Sequence, residues 1–331
     1  MKALLSTAPG GPETLALTDL PTPEPGRGEV RVAVKAVGIN YPDTLIIEDR
    51  YQFRPPRPFA PGAELAGVVE AVGEGVTGPA VGDRVIAVPG WGALAEQVII
   101  RADQTLPLPG SMSFEEGAAL LMTYGTSYYA LKNRAGLKAG ESLLVLGAAG
   151  GVGAAAVELG KASGARVIAA VSSEDKLAFA RELGANDGLI YPAGDLDRAA
   201  QKTLSEDFKR LSGGDGFDVV YDAVGGAYAE PALRALGWEG RYLVVGFPAG
   251  IPSIPLNLAL LKSVQIMGVF WGAHVAREPQ AHAEIVSELM HLHAEGRIRP
   301  RISKTWPLRQ AGEAITALGD RRAMGKLVVT L

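Results

Sequence analysis

The sequence predicts an α/β protein of two parts, a doubly wound parallel sheet domain and a smaller, mainly antiparallel β domain. Three observations carry this prediction. Up to about Pro109 the chain runs in short β-rich segments punctuated by Gly and Pro, among them Glu29–Val34, Ala66–Val72 and Asp83–Val88. Beyond about Phe114 strand and helix patterns alternate, the signature of a parallel sheet covered on both faces. The run Gly147-Ala148-Ala149-Gly150-Gly151-Val152-Gly153 joins the apolar stretch 143–146 to a helix-compatible stretch ending near Ala162.

In order, the second part reads as a strand at 143–146, a helix at 151–162, a strand at Arg166–Val171, a helix at Glu174–Leu183 and a strand at Gly188–Tyr191. Asp218–Asp222 and Arg241–Val245 continue the series with helical stretches between them, and Val264–Phe270 reads as a last strand at a sheet edge. A helix holding Glu284, Glu288 and His291 follows, and Lys326–Leu331 is a final strand.

Composition narrows the partners. A chain of 331 residues, 47% hydrophobic and 21% charged, suits two globular domains and neither disorder nor coiled coil. With 32 Lys plus Arg against 36 Asp plus Glu and no block of like charge, neither nucleic acid nor an anionic membrane is expected; a small molecule is. No apolar run reaches the ~20 residues of a membrane span and the start lacks a signal-peptide core, so a cytoplasmic location is expected. The absence of cysteine removes disulfides, thiolate zinc sites, iron–sulfur clusters and cysteine nucleophiles.

The glycine turn supplies the first candidate site. A strand-turn-helix of this kind lets backbone N–H groups and the helix N-terminus meet a dinucleotide pyrophosphate, which makes Ala149, Gly150, Gly151, Val152 and Gly153 candidate cofactor contacts. The pattern departs from G-x-G-x-x-G because Ala148 holds the first glycine position, and a purely structural glycine-rich loop is the alternative. An NAD-preferring site places an acid ~20 residues beyond the turn. Here position 172, 19 residues after Gly153, is a serine. Ser172, Ser173 and Lys176 together offer hydroxyls and a cation to a 2′-phosphate, so NADPH is the expected cofactor. Glu174 or Asp175 would oppose this if turned inward, and Lys176 is alternatively a solvated helix residue. Ser173-Glu-Asp-Lys176 also spells the S-x-x-K of acyl enzymes, but the S-D-N and K-T-G that chemistry needs do not occur.

Six blocks in order, Val37–Thr44, Pro61–Gly67, Val81–Val85, Gly147–Gly153, Asp218–Gly226 and Gly325-Lys326, resemble the medium-chain dehydrogenase/reductase superfamily, most closely its zinc-free quinone oxidoreductase branch. The resemblance implies a Rossmann domain inserted into a GroES-like β domain, with 1–117 and 262–331 in the β-rich catalytic domain and 118–261 in the dinucleotide-binding domain, an active site in the cleft, and a homodimer as the first guess. Zinc-dependent relatives carry a cysteine and a Gly-His-Glu histidine where this chain has Asn40 and Ala63. Glu64 and Asp43 are an inadequate remnant, so no metal is expected. His274, His282, His291 and His293 read as solvated helix histidines.

The resemblance adds Tyr191 and Arg321 to the cofactor site, with Arg322 as the alternative match to the latter. It makes Asn40 and Tyr51 candidate catalytic donors to an oxygen that gains charge, with Thr126 near the nicotinamide. The blander readings are a turn cap before Pro42 for Asn40, packing on the 53–55 loop for Tyr51 and a helix-start cap for Thr126. Val224 would flank the adenosine half; Gly246, Phe247, Phe270 and Trp271, after the last two strands, would wall the nicotinamide, with core packing as the alternative for the aromatics. An exposed strand at 264–270 would pair with a second subunit. The expected activity is NADPH-dependent reduction of quinones or conjugated carbonyls without a metal. The alternatives are reduction of an enone or an acryloyl-CoA-like thioester, for which Arg50, Arg54 and Arg57 would meet the CoA tail, and nucleotide binding with little turnover.

Overall fold

The computed structural model describes every residue except Asp195 and Arg322. Its strands, in chain order, are β1 (Lys2–Ser6), β2 (Leu15–Asp19), β3 (Glu29–Ile39), β4 (Glu64–Val72), β5 (Arg84–Ala87), β6 (Gln97–Arg101), β7 (Thr105–Pro107), β8 (Ser142–Leu146), β9 (Arg166–Val171), β10 (Asp187–Ile190), β11 (Phe217–Asp222), β12 (Leu236–Val244), β13 (Gln265–Gly268), β14 (Ile302–Pro307) and β15 (Lys326–Thr330). The chain forms two compact units, residues 1–122 with 300–331 and residues 123–299.

In the first unit a seven-stranded sheet runs β14-β15-β3-β4-β5-β7, with β6 pairing β3 off this path and a separate β1-β2 pair. All pairs but β14–β15 are antiparallel, as the alternating segments predict. Pairing of β15 with β3 brings Leu327 opposite Ile39, so the last residues of the chain close the sheet begun by the first hundred. Val30, Val32, Leu65, Val85 and Val329 fill its core.

The second unit is a six-stranded parallel sheet in the order β10-β9-β8-β11-β12-β13. Strand β8, Ser-Leu-Leu-Val-Leu, is buried along its whole length, as a parallel strand covered on both faces should be. From β8 the chain winds through β9 to β10, then returns to lay β11 on the other flank of β8. The winding therefore reverses between β8 and β11, the place where open parallel sheets bind ligands. Strand β13 pairs with β12 at the sheet edge, and the helix Pro279–Ala294 buries Ile285, Val286, Leu289 and Leu292. For this reason the units divide after Met122 and Arg299, and residues 262–299, assigned to the β-rich part by sequence, pack with the parallel sheet. Among the described residues no helix is long and apolar enough to cross a membrane.

Candidate cofactor and active site

All six strands of the second unit point the same way, so their carboxyl ends share one edge, and most of the sequence-predicted cofactor residues follow them. The turn after β8 is stitched to β9 by Gly147 N–H and Ala148 N–H, which donate to Ala170 O at 3.0 and 3.3 Å. Tyr191 N–H, after β10, donates to Val171 O at 2.8 Å, beside Ser172. On the other flank Val245 N–H and Gly246 N–H donate to Asp222 O, and Val269 N–H to Val244 O. The order along the edge is thus Tyr191, Ser172 with Ser173, the glycine turn, Val224, Gly246 with Phe247, and Phe270.

The glycine turn fits a dinucleotide phosphate on backbone grounds. Gly147 takes φ 72°, a left-handed conformation that side chains resist, and a Cβ there would press on Val224 Cγ2 at 2.9 Å. Gly147, not position 148, therefore makes the bend that the altered motif had left unassigned. The helix Gly151–Ala162 starts with no side-chain cap at Gly150, so its leading amides at Gly151, Val152 and Gly153 stay available to an anion. A Cβ on Gly150 would meet only Gly147 O at 3.5 Å, whereas one on Gly153 would lie 2.1 Å from that same oxygen. The helix is pinned by Glu158, a buried carboxylate that accepts from Tyr124 Oη and Arg299 N.

Beside the turn, Lys176 Nζ donates to Ser172 Oγ at 3.1 Å, and Ser173 Oγ caps the next helix by accepting from Lys176 N–H at 3.4 Å. Glu174 and Asp175 are exposed in that helix's first turn. Both hydroxyls and the cation are gathered here.

Asp222, which the sequence reading quoted only within a motif, holds the loop after β11. Its Oδ1 accepts from Val224 N–H and Gly225 N–H, both at 2.8 Å, and its Oδ2 from Tyr242 Oη at 2.5 Å. Burial pushes the Asp222 carboxyl up from its ordinary value, while these donors pull it back, and burial beside Asp222 pushes the Tyr242 phenol far up.

Other predicted residues fall elsewhere. Trp271 is buried against Gly125 and meets His282 edge-on at 5.5 Å, so it packs the helical layer, while Phe247 and Phe270 stay exposed. Thr126 sits inside a continuous helical run, since Gly125 before it is itself helical, so it is no helix-start cap. Arg321 lies in the first unit, exposed at φ 57° after the helix Ala311–Gly319, and Arg322 lies outside the described residues. Of the four histidines only His291 is solvated, paired with Glu295 at 3.2 Å. His274, His282 and His293 are half-buried, each with one buried ring nitrogen that has no hydrogen-bond partner among the described residues, which corrects the solvated reading; His274 stacks on Tyr129 and His282 meets Trp271 edge-on. Arg57 is likewise no exposed cation: it bonds Asp49 at 2.7 Å, Ile47 O and Ser6 Oγ.

In the first unit Asn40 precedes the helix Tyr41–Ile46 and is buried in a polar cluster. Its Nδ2 donates to Gly38 O at 3.0 Å and Glu64 Oε2 at 3.1 Å, and its Oδ1 accepts from Lys326 Nζ at 2.8 Å. Lys326 Nζ also donates to Glu64 Oε2 at 3.1 Å and Ile39 O at 3.3 Å, while Glu64 Oε1 accepts from Met122 N–H. Both Asn40 amide hydrogens are therefore spent inside the protein, and the cation beside Glu64 is an ammonium from β15. Asp43 accepts from Asn40 N–H and Gly62 N–H, and burial raises its carboxyl to about 6.

Tyr51 is half-buried, edge-on to Phe53 at 5.7 Å, and its hydroxyl has no hydrogen-bond partner among the described residues. Burial, then the Asp43 charge, raises its phenol, which keeps the proton on the oxygen at neutral pH.

The chain is similar to known proteins along most of its length. The model of the alcohol dehydrogenase GroES-like domain matches residues 26–110 and that of zinc-binding dehydrogenases residues 151–288. A quinone oxidoreductase-like protein 2 of Bos taurus is 38% identical over 313 residues, spanning 94% of this chain and 87% of its own. A quinone oxidoreductase of Escherichia coli solved with NADPH is 31% identical, with TM-score 0.90 and full coverage of both chains at 100%. A mycobacterial protein solved with NADPH is 30% identical, with TM-score 0.91 and 100% coverage of both.

Proposed function

The chain belongs to the quinone oxidoreductase-like group of the medium-chain dehydrogenase/reductase superfamily, and from that premise we propose that it reduces quinones or other conjugated carbonyls at the expense of NADPH. It is an NADPH-dependent oxidoreductase. The observation that carries the cofactor assignment is the shared carboxyl edge, where an uncapped helix terminus stands beside the Ser172–Lys176 pair. NADPH, when bound, supplies the hydride. The chain's own residues hold the pyrophosphate on the amides of 151–153, the 2′-phosphate on Ser172, Ser173 and Lys176, and the adenosine half along Val224.

No metal is assigned to the cluster in the first unit, because the Lys326 ammonium already supplies the positive charge that Glu64 and Asn40 Oδ1 accept from. Asn40 is then a residue that orders this cluster, and Tyr51, with its unspent phenol, is the donor to the oxygen that gains negative charge. The kcat/KM for NADPH oxidation should be highest with a bulky ortho-quinone, above an enone and acryloyl-CoA, and Tyr51→Phe should lower it about 100-fold, ~3 kcal/mol of barrier. A thioester that wins by tenfold makes the enzyme an enoyl reductase, and tight NADPH binding without turnover makes it a binding protein.

Ser172→Asp should lower the NADPH-to-NADH ratio of kcat/KM tenfold or more, about 1.4 kcal/mol, by setting a carboxylate against the 2′-phosphate. An unchanged ratio removes Ser172 from the site.

The exposed edge of β13, with Ile266 on it and Leu260 and Leu261 exposed nearby in sequence, suits pairing with a second copy. Light scattering should give twice the chain mass of 34.5 kDa, and a monomer at micromolar concentration rejects the dimer.

A further inference from the structure

The helix Arg198–Ser212 carries a stripe that the cofactor site does not use. Arg198, Lys202, Ser205 and Lys209 recur at helical spacing and line a cavity of about 990 Å³, completed by Glu230, Arg234 and the 251–255 loop. Its charge is unbalanced. Glu230 holds Arg234 through Nε at 2.8 Å and Nη2 at 2.6 Å, and Glu206 stands 3.9 Å from Lys202. The side chains of Arg198 and Lys209 have no ion-pair or hydrogen-bond partner among the described residues, so the two carboxylates leave two positive charges uncompensated in a chain of net charge −4. Lys262, held on the carbonyls of Arg234 and Leu236, is lowered by burial and by repulsion from Lys209, so positive charge is crowded there.

Ser205 is the second observation. It is buried at 4% exposure, and its hydroxyl has no partner although buried polar groups are nearly always bonded. On the opposite side the lip is apolar: Ile251 is 84% exposed and flanks Pro252, with Pro255 beyond. Two free cations, an unspent hydroxyl and an apolar lip in one concavity call for a ligand with both an anionic and an apolar end. We propose that this cavity is a second ligand site, for a small molecule that joins a phosphate to an apolar body. Arg198 and Lys209 take the phosphate charge, the Ser205 hydroxyl meets a phosphate oxygen, and Ile251 with Pro252 covers the apolar part.

The test is calorimetric titration of the NADPH-saturated protein with phenyl phosphate, so that the cofactor's own phosphate site is filled. Saturable binding with a Kd of about 1 mM or tighter is expected, weakened at least tenfold in Arg198→Ala/Lys209→Ala and several-fold in Ser205→Val, with Ser172→Asp unchanged. The KM for NADPH should not move in the cavity variants, which shows that they fold. No saturable heat, or equal affinity in the double variant, overturns the site. Loss of the heat in Ser172→Asp instead places the probe at the cofactor edge and overturns it too, and equal affinity for inorganic phosphate removes the apolar body.

Discussion

Gly153→Ala is expected to weaken NADPH binding at least about 100-fold, some 2.7 kcal/mol. The added Cβ would sit 2.1 Å from Gly147 O, 2.8 Å from Gly147 C and 2.9 Å from Ala148 Cα, all of them backbone atoms of the turn itself. No flexible side chain is there to yield, so the helix terminus must move off the turn that presents it, and the amides of 151–153 lose their common aim. Overpacking of this kind also costs roughly 1–3 kcal/mol of stability, so the melting temperature should fall with the affinity. Gly150→Ala separates the two effects. Its Cβ meets only Gly147 O at an ordinary 3.5 Å, so the protein should melt as the parent does while a phosphate facing that position is displaced. Fluorescence titration with NADPH reads both variants. Parental affinity in Gly153→Ala would mean that the pyrophosphate does not lie on this turn.

What the sequence showed and what it hid divide along contact distance in the chain. Strands β8 to β13 were legible because each is a short apolar run next to its own helix, and neighbours along the chain become neighbours in the sheet. The Ser172–Lys176 pair was legible for the same reason, one helical turn apart. The Lys326 cluster was not. Lys326 meets Asn40 across 286 positions of sequence, a contact that exists only because β15 pairs with β3, and nothing in Gly325-Lys326 states which carboxylate the ammonium will find. Glu64 and Asp43, read as leftovers of a lost metal site, are each fully satisfied members of that cluster. The boundary at Arg299 was missed because 279–294 is an ordinary amphipathic helix whose pattern does not name its partner, and the half-buried histidines were missed because imidazole is as common on a solvated face as inside one.

Lys326→Met should destabilise the protein by about 3–5 kcal/mol, the penalty for leaving a buried carboxylate without its cation. Glu64 is fully buried and Lys326 is 4% exposed, so water cannot replace the lost ammonium, and Asn40 Oδ1 loses its donor in the same step. The double variant Glu64→Gln/Lys326→Met removes both charges and should recover most of the deficit, since a buried pair is worth far less than its broken half costs. The deficit should also depend on pH through Asp43. Burial raises this carboxyl from 3.8 to about 6, so the folded chain holds a proton that the unfolded chain releases, and parental stability falls as pH rises across that window and then levels. The Lys326 charge is one of the influences that lower Asp43, so without it the folded carboxyl titrates higher still and the fall continues above pH 6. Urea unfolding should therefore show the gap between parent and Lys326→Met widening from pH 6 toward alkaline pH and narrowing in acid. A variant as stable as the parent, with a pH-independent difference, would mean that the ammonium is not the counter-charge that keeps Glu64 and Asn40 in place.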